Sequence, residues 1–109
     1  LGLRLDELED AMTSILRSGD RDNTIRVALA EKLSLKAAQP RYEAFLRRAP
    51  ALIAEHTRML GVGQLRAGID AWEAASGLAA RAIALSLDKQ SVVFQMGSLL
   101  ASVQAHKAS

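Results

Sequence analysis

QLRAGIDAWEAASGLAARAIALSLDKQSVVFQMGSLLASVQAH (residues 64–106) decides how this chain folds. Leu65, Ile69, Trp72, Ala75 or Ser76, Ala79 and Ile83 recur at steps of three and four, the spacing of one helix face. This predicts a helix over about residues 64–85. Val92, Met96, Leu99, Leu100 and Val103 repeat the pattern over about 88–106. Ser-Leu-Asp between them supplies a break, with Ser86 or Asp88 placed to cap the second helix. β-branched residues never alternate with polar ones for long enough to read as a strand. The small residues Gly68, Ala71, Ala75, Gly77 and Ala79 predict close approach by a neighbouring helix. A glycine inside a helix costs about 1 kcal/mol relative to alanine, so Gly68 and Gly77 point to tight packing. Val93 and Phe94 lie off the stripe of the last helix, which is therefore apolar over more than half its girth. Such a helix is either central or covered by a partner.

Working toward the N-terminus, the same periodicity predicts three more helices. The first spans about Leu3 to Ser18, with Leu5, Leu8, Met12, Ile15 and Leu16 on one face. Asp6, Glu7, Glu9 and Asp10 crowd its start, where negative charge suits the helix dipole, and Gly19 offers a left-handed stop. The second spans about Asp22 to Leu33, with Asp20, Asp22 or Asn23 as cap and Ile25, Ala28, Leu29 and Leu33 as its face. The third spans about Ala37 to Leu60 and carries Tyr42, Phe45, Leu46, Ala49, Leu52, Ile53, His56 and Leu60. Pro40 is tolerated in its first turn, Pro50 should kink it, and Gly61-Val62-Gly63 should end it. The expectation is an all-α, single compact bundle of about five helices, with residues 1–109 forming one domain.

Half of the 109 residues are apolar and 24% are charged, the balance of a folded protein with a core. There is no cysteine, which removes disulfides, thiolate metal sites and a cysteine nucleophile. A cytoplasmic location is expected, since the composition fits a reducing compartment. Neither a signal peptide nor a membrane span is expected, because Arg81, Asp88 and Lys89 interrupt the most apolar stretch. The chain starts at Leu1, which reads as a piece of a longer protein. Its formal charge of +2 is uneven, with six of the 12 acidic residues (Asp6, Glu7, Glu9, Asp10, Asp20, Asp22) in the first 22 positions.

The residues that could carry chemistry lack the spacing that chemistry needs. Glu55-His56 would need a second histidine at position 60 to hold zinc, and Leu60 stands there. His56 therefore reads as an ordinary, partly buried histidine, and His106 as a side chain near a helix C-terminus. Gly61-Val62-Gly63 has neither a strand before it nor a Gly-Lys-Ser/Thr after it, so it is no phosphate loop. The acidic run in the first helix lacks the alternation of a calcium loop. No catalytic residue, metal ligand, cofactor or small-molecule ligand is expected, and the chain is not read as an enzyme. Arg41, Arg47, Arg48 and Arg58 could touch phosphate, which makes a nucleic-acid-binding helical module the alternative reading. A solvated face, or ion pairs with the acidic first helix, is the preferred reading of the arginines on the third helix. Trp72, on its helix stripe, reads first as core and second as an interface anchor.

Two passages resemble a known family. Ala71-Trp72-Glu73-Ala74-Ala75-Ser76-Gly77-Leu78-Ala79-Ala80-Arg81-Ala82, followed by Ala84-Leu85-Ser86-Leu87-Asp88-Lys89-Gln90-Ser91-Val92-Val93, resembles the C-terminal segment of the delta-prime subunit of the bacterial DNA polymerase III clamp loader. That family shows Trp-Glu, an Ala-Arg pair, and then a phrase like Asn-Leu-Asp-Arg-Lys-Gln-Val-Val. Here Ser86 replaces the Asn, and one basic residue is missing between Asp88 and Gln90. Ala28-Leu29-Ala30-Glu31-Lys32-Leu33, leading to Arg41-Tyr42-Glu43-Ala44-Phe45-Leu46, is similar to a second passage of the family. The resemblance covers nearly the whole chain, in order.

The resemblance implies a collar-type helical domain that joins those of other clamp-loader subunits. In such proteins an N-terminal ATPase-like module, absent from this chain, precedes the collar domain. DNA would then be reached only through the assembled complex, which loads the sliding clamp in replication. On this reading Trp72, Val93, Phe94, Gly97 and Ala101 are expected at the subunit interface. Asp88 is expected to cap the fifth helix, with Trp72 packed near its start.

Overall fold

The computed structural model describes the backbone of residues 4–108 and the side chains of residues 4–103. The expected helix start at Leu3 and the side chain of His106 lie outside the described residues. Five α-helices follow one another: α1 (Leu5–Ser18), α2 (Thr24–Leu33), α3 (Gln39–Thr57), α4 (Leu65–Ala84) and α5 (Lys89–Ala108). Single 3₁₀ turns, Lys36–Ala38 and Val62–Gln64, lead into α3 and α4. There is no strand among the described residues.

The apolar periodicity sets the core of four of these helices. Leu8, Met12, Ile15 and Leu16 of α1, and Leu29, Ala30 and Leu33 of α2, are buried. Tyr42, Phe45, Leu46, Ala49, Leu52 and Ile53 of α3 join them, with Val92, Val93, Met96, Leu100, Ala101 and Val103 of α5. Helix α5 is the centre, packing on α1, α2 and α4, while α3 reaches the core through α4 and α1. That accounts for the wide apolar girth of α5 within the chain itself. Leu5 was expected on the buried face of α1 but is exposed, one turn before the core begins.

The breaks are made by specific hydrogen bonds. Gly19 is left-handed (φ 79°), and its N–H donates to the Ile15 carbonyl at 2.8 Å. Helix α3 continues through Pro50, which is buried, and stops at Thr57, earlier than the glycines suggest. There the N–H groups of Met59 and Leu60 donate to the carbonyls of His56 and Thr57, both at 3.0 Å, tightening the last turn to 3₁₀ spacing. Gly61 holds φ −69°, and neither Gly61 nor Gly63 has an atom near a built Cβ, so neither is needed as a stop.

Helix α4 ends in a Schellman motif. Leu85 is its C-cap, Ser86 is left-handed (φ 49°), and the Leu87 N–H donates back to the Ala82 carbonyl at 3.2 Å. Asp88 then caps α5 as expected. Its Oδ2 accepts from the Ser91 N–H at 2.9 Å, and its carbonyl accepts from the Val92 N–H at 3.0 Å.

Candidate functional site

Helix α4 buries a face other than the one expected. Gly68, Ala71, Ala75, Leu78 and Ala82 point inward. At 100° per residue they form a stripe rotated about 100° from the stripe of Leu65, Ile69, Trp72, Ser76, Ala79 and Ile83. The second stripe faces outward: Ile69 is 41% exposed, Trp72 43% and Ile83 68%, with Leu65, Ser76 and Ala79 half-buried. Small side chains win the inner face because α4 must lie close to both α3 and α5. At Gly68 the approach is closest. A Cβ built there would come within 2.6 Å of Thr57 Cγ2 and 2.9 Å of Thr57 Cβ. Gly77, by contrast, faces only the Arg81 guanidinium, so it marks no close helix contact.

Trp72 is thus not a core residue, and it does not pack on the start of α5. It lies on the order of 20 Å along the helix axis from the C-terminal end of α4, at 1.5 Å per residue. Beyond that end the outward stripe meets exposed Leu85 and Leu87. A groove of about 470 Å³ adjoins it, lined by Tyr42, Leu46, Ile83, Leu87 and Lys89 among others. Lys89 Nζ sits 5.4 Å from the centroid of the Tyr42 ring and is bonded to Gln39 Oε1. The Tyr42 hydroxyl is buried without a hydrogen-bond partner among the described residues. Burial, and secondarily the charge of Asp88, push its pKa up.

The other expected interface residues are covered by the chain's own helices. Val93, Gly97 and Ala101 are buried in the core, where no partner can reach them. Phe94 is half-buried, with the Arg26 guanidinium 5.3 Å above its ring centroid. A Cβ at Gly97 would come within 2.6 Å of Arg26 Cγ. The residue that lies over both Phe94 and Gly97 is Arg26, which periodicity did not mark.

Asp20 holds Arg26 in place. It is buried, left-handed (φ 44°), and its carboxylate accepts from the N–H groups of Ile25 (3.0 Å) and Arg26 (2.9 Å). The same carboxylate accepts from Arg26 Nε at 3.0 Å, and Arg26 Nη1 donates to Ser98 Oγ at 3.0 Å. Arg26 also bonds the Asp20 carbonyl at 2.8 Å and the Asn23 side chain. One buried ion pair therefore caps α2 and clasps it to α5. The signal in the sequence was Asp20 as a candidate cap, but its reach of five and six residues is set by the turn.

The basic group on α3 is divided by the fold. Arg48 makes a two-bond fork to Glu9 (2.8 and 2.8 Å) and a further bond to Glu55 (2.7 Å). Hydrogen bonding from Arg48 holds the Glu9 carboxyl below its usual pKa despite some desolvation, and Arg48 is kept more firmly protonated in return. Arg47 and Arg58 are exposed, whereas Arg41 is half-buried. His56 is half-buried, as expected. Among the described residues no group of three or more His, Asp or Glu could hold a metal ion, and no helix is long and apolar enough to cross a membrane.

In comparisons with known proteins, no protein-family model matches the chain, and neither a curated protein nor a solved structure does.

Proposed function

We propose that this chain is an oligomerisation domain of a DNA polymerase III clamp-loader subunit. It would help form the collar that holds the loader together while the sliding clamp is placed on DNA in bacterial DNA replication. The reading rests on the delta-prime resemblance of residues 71–93. The observation that supports it is the outward face of α4. Ile69, Trp72 and Ile83 stand on one side of a helix whose other side already fills the core. Covering the part of each such side chain that is still exposed is worth roughly 1 kcal/mol, and tryptophan is enriched at interface anchor points. Its partners would be the other loader subunits, with DNA met only through the complex, in the cytoplasm. The alternative, direct binding of nucleic acid through Arg41, Arg47, Arg48 and Arg58, loses Arg48 to its carboxylate pair.

Co-elution from a sizing column tests the proposal. The protein is mixed with the other clamp-loader subunits in moderate salt, with a short DNA duplex as a parallel arm. A stable complex that Trp72→Glu abolishes, without DNA retention by the domain itself, is the expected result. Salt-sensitive DNA binding without any loader complex would overturn it in favour of the arginine reading.

A further inference from the structure

We infer that the groove between α3, the end of α4 and the start of α5 binds a small uncharged molecule with an apolar body and one carbonyl oxygen. That oxygen accepts a hydrogen bond from the Tyr42 hydroxyl. The inference goes beyond the clamp-loader reading and stands or falls separately from it.

The first observation is the hydroxyl. Tyr42 is 5% exposed, and its oxygen is buried with no hydrogen-bond partner among the described residues. A buried donor left unpaired is a net loss to folding, and phenylalanine would fill the same space without that loss. The oxygen therefore does nothing for the fold, and its use lies in what it can bind. Burial and the charge of Asp88 both favour the protonated form, so the group stays a donor and needs an acceptor.

The second observation is the groove. Its volume of about 470 Å³ suits a small molecule. Leu46, Ala82, Ile83 and Leu87 give it apolar walls, against which a ring or a short chain can lie. Its charges balance: Arg47 and Lys89 line it with Glu43, and Asp88 acts on Tyr42 from beside it. An ion gains nothing net from such a setting, and a carboxylate at the hydroxyl would meet the repulsion of Asp88.

The third observation is the way in. The Lys89 amino group stands over the Tyr42 ring, and its one hydrogen-bond partner among the described residues is the neutral Gln39 Oε1. A long, flexible side chain held by one neutral group swings aside readily. Lys89 is thus the cover that the ligand displaces to reach the hydroxyl.

NMR titration of the protein with acetanilide, an uncharged aryl amide, tests this, with phenylacetate as an anion of similar size. Acetanilide should shift the amide signals of Leu46, Ile83 and Leu87 and saturate in the millimolar range, while phenylacetate binds more weakly. Tyr42→Phe should weaken acetanilide binding about tenfold and raise Tm by a few degrees. Lys89→Ala, which removes the cover, should not weaken binding. A lower Tm in Tyr42→Phe would mean that the hydroxyl is bonded within the fold and would overturn the inference. So would the absence of saturable shifts in the groove, equal binding by Tyr42→Phe, weaker binding by Lys89→Ala, or tighter binding of phenylacetate. None of these results bears on assembly with loader subunits, which decides the clamp-loader reading.

Discussion

Replacing Gly68 by alanine should destabilise the domain, although alanine is the better helix former. The helical gain is about 1 kcal/mol. Against it stands the overlap of the new methyl with Thr57, whose Cγ2 and Cβ would lie 2.6 and 2.9 Å away. Thr57 cannot swing aside cheaply, since it is buried and its hydroxyl donates to the Ile53 carbonyl at 2.6 Å. Overpacking costs about 1–3 kcal/mol, and contact with a fixed β-branched side chain belongs at the upper end. The net loss is about 2 kcal/mol, a fall in Tm of about 10 °C for a domain this size. A Thr57→Ala background removes Oγ1 and Cγ2 but keeps Cβ, at 2.9 Å from the new methyl, so Gly68→Ala should there cost only about 1 kcal/mol. Urea melts of the four proteins, followed by circular dichroism, give a coupling of about 1 kcal/mol if this is right. An alanine that stabilises the wild-type background, or acts equally in both, would refute the account of why α4 turns its small face inward.

Asp20→Ala removes two cap bonds and strands Arg26 part-buried without its carboxylate, so it should cost about 3 kcal/mol or more in a urea melt. Asp20→Asn, which can keep the cap, should cost less. Ser86→Gly should raise stability by about 0.5–1 kcal/mol, because the left-handed C-terminal position of α4 strains any residue with a Cβ. The lowered Glu9 pKa predicts a pH effect of definite sign. The Glu9–Arg48 contribution is fully present above the ordinary glutamate pKa near 4.5 and is lost as pH falls through the lowered value. Arg48→Met should therefore lower stability at pH 7 by about 1 kcal/mol or less, the pair being partly exposed, and should flatten the acid limb of the stability curve.

The sequence by itself determined the helices and most of what they bury. Leu8, Met12, Ile15 and Leu16, or Phe45, Leu46, Ala49 and Ile53, sit on a single apolar stripe each, and a helix with one such stripe has one way to face a core. Gly19 and Asp88 were legible for the same local reason, since a helix end needs its orphan groups satisfied within a few residues. Helix α4 differs because it carries two apolar stripes. Periodicity finds both but cannot rank them, and side-chain size alone favours the stripe of Ile69, Trp72 and Ile83. Tertiary structure decided otherwise, since the face turned toward α3 and α5 takes Gly68, Ala71, Ala75, Ala82 and one larger side chain, Leu78. The same holds for α5. Val93, Gly97 and Ala101 have the look of an interface in one dimension, yet α1, α2 and α4 surround them in three. Arg26 was silent in the sequence because its partners, Asp20, Phe94 and Ser98, converge only after the turn at Gly19–Asn23 and the packing of α2 on α5. Local hydrogen bonds and one-sided apolarity are written in neighbouring residues, whereas the choice between two apolar faces depends on the distance to another helix.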